Sequence, residues 1–305
     1  TRMLLPMLPK QDVVLNTIVS ATGVSAAYAG KKFNFKTIES DSNKVWQNPD
    51  INTVFITTPH SSHAGLVCEA MKAGKHVFVE KPLALTHQQL EDIIETQNQH
   101  PDQLLMIGFN RRFSPHTQQL KKWLASTPGS KSIILTINAG AIPASHWTQN
   151  IETGGGRING EACHFIDLAR FLADSPIREA SANTMCGGDG QLGDCVSVNL
   201  SFEDGSIATI HYLANGSKDF PKERIEIFAG GKVATCDNFR FSKLNGGKGK
   251  LKTSGQDKGH AAELKAFVQT IAHGGKWPIP LEELIEITKV TLNVAQSVRE
   301  ATLKG

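Results

Sequence analysis

The chain has 305 residues, about twice a typical domain, with 40% apolar and 20% charged residues, which excludes a disordered chain and predicts two packed units. Lys plus Arg outnumber Asp plus Glu by 32 to 29, a net charge of +3 with no basic cluster beyond runs such as Lys248-Gly249-Lys250, so nucleic acid is not an expected partner. Five scattered cysteines (Cys68, Cys163, Cys186, Cys195, Cys236) make no C-x-x-C pair, against a disulfide framework or a zinc site, and no apolar run approaches the ~18 residues of a membrane span.

With no charged-then-apolar leader either, the expectation is a cytoplasmic protein without a membrane partner. Thr1–Leu8 reads as a helix already under way, and Val13–Ser20 as a buried strand. A helix follows from Ser25 to Phe33, with Ala26, Ala27, Ala29 and Gly30 small enough to pack closely on a sheet. The strand Thr53–Thr58 is ended by Pro59, which cannot donate to a ladder. A helix over Ser62–Ala73 carries Leu66, Val67, Ala70 and Met71 on one face, with Gly74 at its C-cap. Strand His76–Val79, helix Thr86–Asn98 with Thr86 as N-cap, and strand Leu104–Ile107 complete an alternation that predicts a parallel, doubly wound sheet.

After a helix over Ser114–Leu124 the pattern changes. One strand (Ser132–Ala139) and one helix (Ile158–Leu172) precede strands in quick succession: Glu179–Met185, Cys195–Phe202, Ser206–Tyr212, Arg224–Ala229 and Lys232–Thr235. Glu203-Asp204-Gly205 and Gly230-Gly231 are the hairpin turns between them, the signature of a mostly antiparallel sheet. Asn245–Gly259, polar and rich in Gly and Lys, is expected to be a mobile loop, and helices over His260–His273 and Leu281–Leu303 close the chain.

The strongest local signal is Thr57-Thr58-Pro59-His60-Ser61-Ser62-His63 followed by Gly74-Lys75-His76-Val77-Phe78-Val79-Glu80-Lys81-Pro82-Leu83. Glu80 and Lys81 fall where a parallel strand ends, and ligands of open α/β sheets sit beyond the carboxyl ends of strands. A lysine there places a cation at the cleft mouth; position alone suits equally well a solvated Lys81 paired with Glu80.

The run Thr57, Pro59, His63, Ala70, Gly74, Lys75, His76, Val77, Glu80, Lys81, Pro82 resembles the glucose-fructose oxidoreductase, inositol dehydrogenase and rhizopine catabolism (Gfo/Idh/MocA) family of nicotinamide-dependent sugar and polyol oxidoreductases. The resemblance continues through Gly108-Phe109-Asn110-Arg111-Arg112-Phe113 and through Gly154-Gly155-Gly156 with His164-Phe165-Ile166-Asp167-Leu168, nearly the whole chain. It implies an α/β fold: a Rossmann-type doubly wound parallel sheet over residues 1–111, then an α+β domain with a mostly antiparallel sheet over residues 112–305. Lys81 would stand near nicotinamide and substrate, and His164 would exchange the substrate's hydroxyl proton. NAD or NADP would lie along Ser20, Thr57, Thr58, Pro59, His63, Glu80, Lys81 and Asn110. Lys81, Arg111, His146, Trp147 and His164 would meet the substrate. The chemistry suits these types: a histidine takes a hydroxyl proton at neutral pH, and a nearby ammonium stabilises the alkoxide.

One position departs from the family. Relatives usually carry an aspartate four residues before the histidine, where this chain has Gly160, with Glu161 beside it. Three residues before His164 on a helix, Glu161 is expected to approach the cleft and replace that carboxylate as a third catalytic residue; a surface helix acid is the plain alternative. His63 suits a capping or packing role better than ligation, and His60, His63 and His146 lack metal-ligand spacing, so no metal is expected.

The cofactor half opens without its glycine fingerprint. The first strand, central in a doubly wound sheet, and its G-x-G-x-x-G turn are missing from the chain and expected in about 10–15 residues before Thr1; a chain beginning at Thr1 is expected to bind little NAD(P). Ala139–Trp147 and Gly160–Phe165 carry the closest resemblance within the family, to a subset whose members place this unit behind a zinc-type alcohol-dehydrogenase-like domain, so a fused N-terminal domain is implied. Ser20-Ala21-Thr22 offers neither an acid for the NAD ribose nor an arginine for a 2′-phosphate, so a site tolerating both cofactors is expected. The expected function is hydride transfer between NAD(P) and a hydroxyl or keto carbon of a sugar, cyclitol or nucleotide-sugar. The competing readings are a non-catalytic or regulatory sugar-binding member of the same fold and an NAD-dependent glycosidase. An open face on the second sheet implies a homo-dimer or homo-tetramer.

Overall fold

Short parallel strands alternate with helices through the first third of the chain: β1 (Thr17–Val19), α1 (Val24–Phe33), β2 (Thr37–Glu39), α2 (Asn43–Trp46), β3 (Thr53–Ile56), α3 (His63–Lys72), β4 (His76–Val79), α4 (His87–Gln99) and β5 (Leu105–Ile107). The structure is a computed structural model that describes residues 3–21, 23–185 and 194–304, with side chains to residue 302. Cys186 lies outside the described residues. Strands β3, β4 and β5 form one parallel sheet and β1 and β2 another, with no pairing between β1 and β3. The predicted strand over Val13–Ser20 is shorter because it has a partner on one side only, the unpredicted β2, and Val14 is 71% exposed. The helix expected at the start is a single 3-10 turn, Leu5–Met7. Pro6 and Pro9 remove the donors a longer helix needs, and Leu4 and Leu8 are buried in the core instead. Thr86 caps α4 as expected, its hydroxyl accepting from the Gln89 amide.

The second layer comprises α5 (Pro115–Leu124), β6 (Ser132–Asn138), α6 (Cys163–Ala173), β7 (Ile177–Thr184), β8 (Val196–Phe202), β9 (Ile207–Leu213), β10 (Glu223–Ala229), β11 (Lys232–Asp237), β12 (Phe241–Asn245) and β13 (Lys250–Lys252). Its eight strands run in the order β13-β12-β11-β10-β6-β9-β8-β7, antiparallel throughout except for β6 beside β9. Alternation places Ile133, Leu135, Ile137, Val198, Leu200, Ile210 and Ile225 on a buried face against α6, and Ile134, Thr136, Asn199 and Thr209 on the other.

The stretch Asn245–Gly259, expected as a loop, is mostly irregular, but it carries a short strand, Lys250–Lys252, and follows a strand that was not expected, Phe241–Asn245. Phe241, Ser242 and Leu244 pair with β11, and Lys250–Lys252 pair back on β12. The lysine-rich edge hid a period-two pattern, Ser242 and Leu244 facing inward. The buried His116 ring of α5 holds the segment down by bonding Ser242 Oγ at 2.8 Å and Thr253 Oγ1 at 3.0 Å.

Two helices, α7 (His260–His273) and α8 (Leu281–Lys304), return to the first layer. Phe267 of α7 meets the rings of Phe55 and Phe78 edge-on at 5.6 Å each, covering the three-stranded sheet. Helix α8 packs against α4, α6 and β7, so both layers share one continuous core. Among the described residues no helix is long and apolar enough to cross a membrane.

Candidate active site

The carboxyl ends of β3 and β4 open towards a loop of the second layer. Thr57, Thr58 and Pro59 are exposed there, and Ser20 occupies the equivalent end of β1, its Oγ 2.7 Å from Ser25 Oγ. His63 begins α3 fully buried, its ring bracketed by the carbonyls of Pro82 (2.7 Å) and Thr58 (2.9 Å). Both ring nitrogens are occupied, so His63 ties the end of β3 to the Lys81-Pro82 turn, whose peptide is cis.

The helix predicted over Ile158–Leu172 begins as a π-helical turn, Ile158–Ala162, before α6 proper. Such a turn breaks the regular i→i−4 ladder, and here the Gly160 carbonyl accepts the Lys81 ammonium at 2.5 Å. His164 stands one helical turn further on. It is 7% exposed, edge-on to Phe109 at 6.1 Å, and its buried Nδ1 has no hydrogen-bond partner among the described residues. Burial holds its pKa well below 6.5, and the charges of Arg111, Lys81, His260 and Lys258 push it the same way, so the ring is neutral at physiological pH.

Glu161, expected to approach the cleft in place of the family's aspartate, is held by three partners within the protein. Its Oε2 accepts from Tyr212 Oη (2.6 Å) and Arg157 (3.1 Å), and its Oε1 from Lys222 Nζ (2.7 Å). Burial would raise its pKa, but the Lys222 charge and these bonds bring it down to about 2. The glycine before it lets the helix turn this way, because a Cβ at Gly160 would stand 3.0 Å from His60 Cε1. A carboxyl held at about 2 in the folded state and near 4.5 when unfolded stabilises the fold above pH 4.5, and that stability is lost as pH falls towards 2. Glu161→Gln should therefore cost about 2–3 kcal/mol at pH 7, with the gap to the wild type closing below pH 3 in denaturant titrations.

Two further expected site residues have partners within the protein. The Arg111 guanidinium makes a two-pronged pair with Glu223 at 2.7 and 2.9 Å and stacks over Phe165 at 4.8 Å, all buried. The buried Asn110 amide donates to the Lys258 carbonyl at 2.8 Å. Lys258 completes that group by reaching Glu223 Oε1 at 2.6 Å. These partners were missed because Lys258 lies in the run read as a loop.

Beneath the cleft, Arg112 is paired with Asp167 and with Glu283 at 2.9 Å. Burial raises the Asp167 carboxyl to about 6 despite Arg112, and it holds the neighbouring Glu263, buried with Oε1 unpartnered, well above its ordinary value. Glu80, at the end of β4, is also raised by burial, against the pull of Lys81.

The loop before the glycines forms the outer wall. Trp147 is 46% exposed and lies edge-on to His60 at 4.6 Å, while exposed His146 bonds Thr148 Oγ1 at 2.8 Å. Gly154 is required here, since a Cβ would come within 2.4 Å of Thr148 Cα. Its carbonyl and that of Thr153 take His60 Nδ1 (2.7 Å) and the Ser61 amide (3.1 Å), joining this wall to the end of β3. Among the described residues no group of His, Cys, Asp or Glu has the arrangement to hold a metal.

A parallel sheet with a lysine at its carboxyl edge, held by a carbonyl four residues before a buried histidine of an antiparallel-sheet layer, defines a Rossmann-type protein with an appended α+β layer. The family profile described as "Oxidoreductase family, NAD-binding Rossmann fold" matches residues 3–109, and that of the "GFO/IDH/MocA C-terminal domain" matches residues 132–232. The chain belongs to the Gfo/Idh/MocA oxidoreductase family. It is 27% identical over 215 residues to the myo-inositol 2-dehydrogenase of Thermotoga maritima, a match covering 69% of this chain and 64% of that protein. It is 28% identical over 245 residues to the levoglucosan dehydrogenase of Pseudarthrobacter phenanthrenivorans, covering 69% and 60%. The chain thus spans somewhat under two thirds of the length of these relatives. Among solved structures, levoglucosan dehydrogenase in complex with NADH and levoglucosan shares the fold, with a TM-score of 0.82 at 21% identity, over 97% of this chain and 92% of that one.

The residues present fit the nicotinamide end of such a cofactor. Thr57–Pro59 leave the carboxyl edge open, and His164 Nδ1 is a buried polar atom awaiting a partner. Ser20 and Ala21 after β1 bring neither an acid nor an arginine that would select NAD or NADP.

Proposed function

We propose that the protein transfers hydride between NAD or NADP and a secondary hydroxyl or keto carbon of a sugar, cyclitol or nucleotide-sugar. The observation that carries this is the neutral, unpartnered His164 imidazole, one helical turn beyond the carbonyl that fixes the Lys81 ammonium. The inositol and levoglucosan dehydrogenases among the relatives support the substrate class. In this reading residues 1–111 hold the cofactor and residues 112–305 supply the substrate side. Thr57, Thr58 and Pro59 border the nicotinamide, and Trp147 with His146 walls the substrate.

When bound, the nicotinamide accepts hydride from the carbinol carbon or returns it. In the oxidising direction His164 takes the hydroxyl proton, and Lys81 stabilises the negative charge building on that oxygen. The same ammonium opposes protonation of His164, which keeps the base free before substrate arrives. Glu161 keeps the helix carrying Gly160 and His164 anchored to Tyr212 and Lys222 of the second sheet. Incubating the protein with NAD and NADP and a panel of cyclitols, sugars and UDP-sugars should give reduced cofactor with at least one member. Cofactor that binds but is never reduced, with product ketones never reduced either, would overturn the proposal.

The same reading includes self-association. Among the described residues no helix covers the outer face of the eight-stranded sheet, which exposes Ile207 (54%) and Phe228 (42%) among its polar residues. We expect a homo-dimer, or a dimer of dimers, built on this face. Light scattering at micromolar concentration should return at least twice the chain mass, and a monomer would contradict it.

A further inference from the structure

His60 is a buried side chain that the mechanism above does not use. Its Nδ1 lies 2.7 Å from the Gly154 carbonyl. A carbonyl only accepts, so Nδ1 carries the proton and Nε2 is left with its lone pair, which no described residue hydrogen-bonds. Burial, then the charges of Lys81 and His63, hold the ring neutral by bringing its pKa down to about 4. Cε1, the atom next to Nε2, stands 3.0 Å from where a Cβ on Gly160 would be, and the Gly160 carbonyl is the one that holds the Lys81 ammonium. His60 and Lys81 therefore meet over a single residue, one helical turn before His164. Trp147 closes the other side of the His60 ring at 4.6 Å. The charge of one ammonium thus bears on two neutral imidazoles, one from the loop after β3 and one from α6.

We propose that His60 Nε2 accepts a hydrogen bond from a second substrate hydroxyl, on the carbon next to the reacting one, so that the site selects vicinal diols. This rests on the hydride-transfer reading and names the substrate feature that reading left open. Lys81 has three N–H groups; Gly160 takes one, leaving two for neighbouring oxygens. A neutral imidazole nitrogen with a lone pair needs a donor, which a hydroxyl supplies and a hydrogen at the same carbon does not. A site whose acceptor a hydroxyl would fill discriminates against the analogue that lacks that hydroxyl.

The test is His60→Asn, whose amide can still donate to the Gly154 carbonyl but places no acceptor where Nε2 was. Myo-inositol, glucose and levoglucosan are each compared with their singly deoxygenated counterparts, in the presence of NAD, for kcat/KM. In parallel, long-range proton–nitrogen NMR follows the His60 Nε2 resonance as each polyol is added. We expect the wild type to favour a diol over its deoxygenated counterpart by about 10- to 100-fold and His60→Asn to lose that preference. We also expect Nε2 to move upfield as the diol saturates the site. Retained discrimination in His60→Asn, or an Nε2 resonance unmoved by a saturating diol, would reduce His60 to a latch on Gly154 and overturn the proposal. If the wild type neither binds nor oxidises any polyol, the hydride-transfer reading itself fails and this proposal falls with it.

Discussion

His164→Ala should lower kcat by roughly 10²–10⁴-fold while leaving the cofactor Kd nearly unchanged. The imidazole lies on the α6 side of the cleft, so removing it takes away the proton acceptor without disturbing Thr57–Pro59 on the opposite edge. The pH dependence carries a second signature. Burial and the charges of Arg111, Lys81, His260 and Lys258 hold this histidine well below 6.5, so the neutral form persists far into the acidic range. The acidic limb of kcat/KM should therefore fall well below pH 6.5 in the wild type, and it should vanish in the variant. Steady-state rates across pH with the first polyol found to be oxidised would measure both. Near-normal turnover in His164→Ala would move proton transfer to Lys81.

Arg111→Ala should be the most damaging single change to stability, at about 3–5 kcal/mol. Its guanidinium and the Glu223 carboxylate are both almost fully buried, with side-chain exposures of 7% and 2%. Removing one member strands a carboxylate whose remaining cation, Lys258, is itself partly buried. The stack over Phe165 goes as well, and with it a packing contact beneath His164. Arg111→Lys, which keeps the charge but not the two-pronged geometry, should fall between the two. Urea unfolding of the three proteins measures this, and a loss below about 1 kcal/mol for the alanine variant would show that the pair contributes little.

Strands β3, β4 and β5 and helices α1, α3 and α4 were legible because the buried strands are short apolar runs bounded by proline or glycine, as at Thr53–Pro59 and Leu105–Gly108, whereas β2 and α2 were missed. Lys81 and His164 were singled out by their motifs, and the structure places the Lys81 ammonium on the carbonyl of Gly160, four residues before His164. What could not be read was which partner each polar residue would choose. Glu161 has the spacing to approach His164, yet Tyr212 and Lys222, more than fifty residues later, claim its carboxylate. Arg111 and Asn110 look like cleft residues until Glu223 and Lys258 are folded against them. The lysines of β12 and β13 masked a strand pattern, since an exposed sheet edge favours charge and so resembles a loop in composition. His60 was weighed only as a metal ligand, because nothing local to Pro59-His60-Ser61 signals the distant Gly154 carbonyl and the space left at Gly160.

The central claim is that hydride leaves a carbinol carbon held between Lys81 and His164. A polyol from the panel, deuterated at each carbinol position in turn, should transfer deuterium to the oxidised cofactor from one carbon only, and Lys81→Met should slow that transfer by at least 10²-fold. Deuterium that never reaches the cofactor, or transfer undiminished in Lys81→Met, would contradict the account.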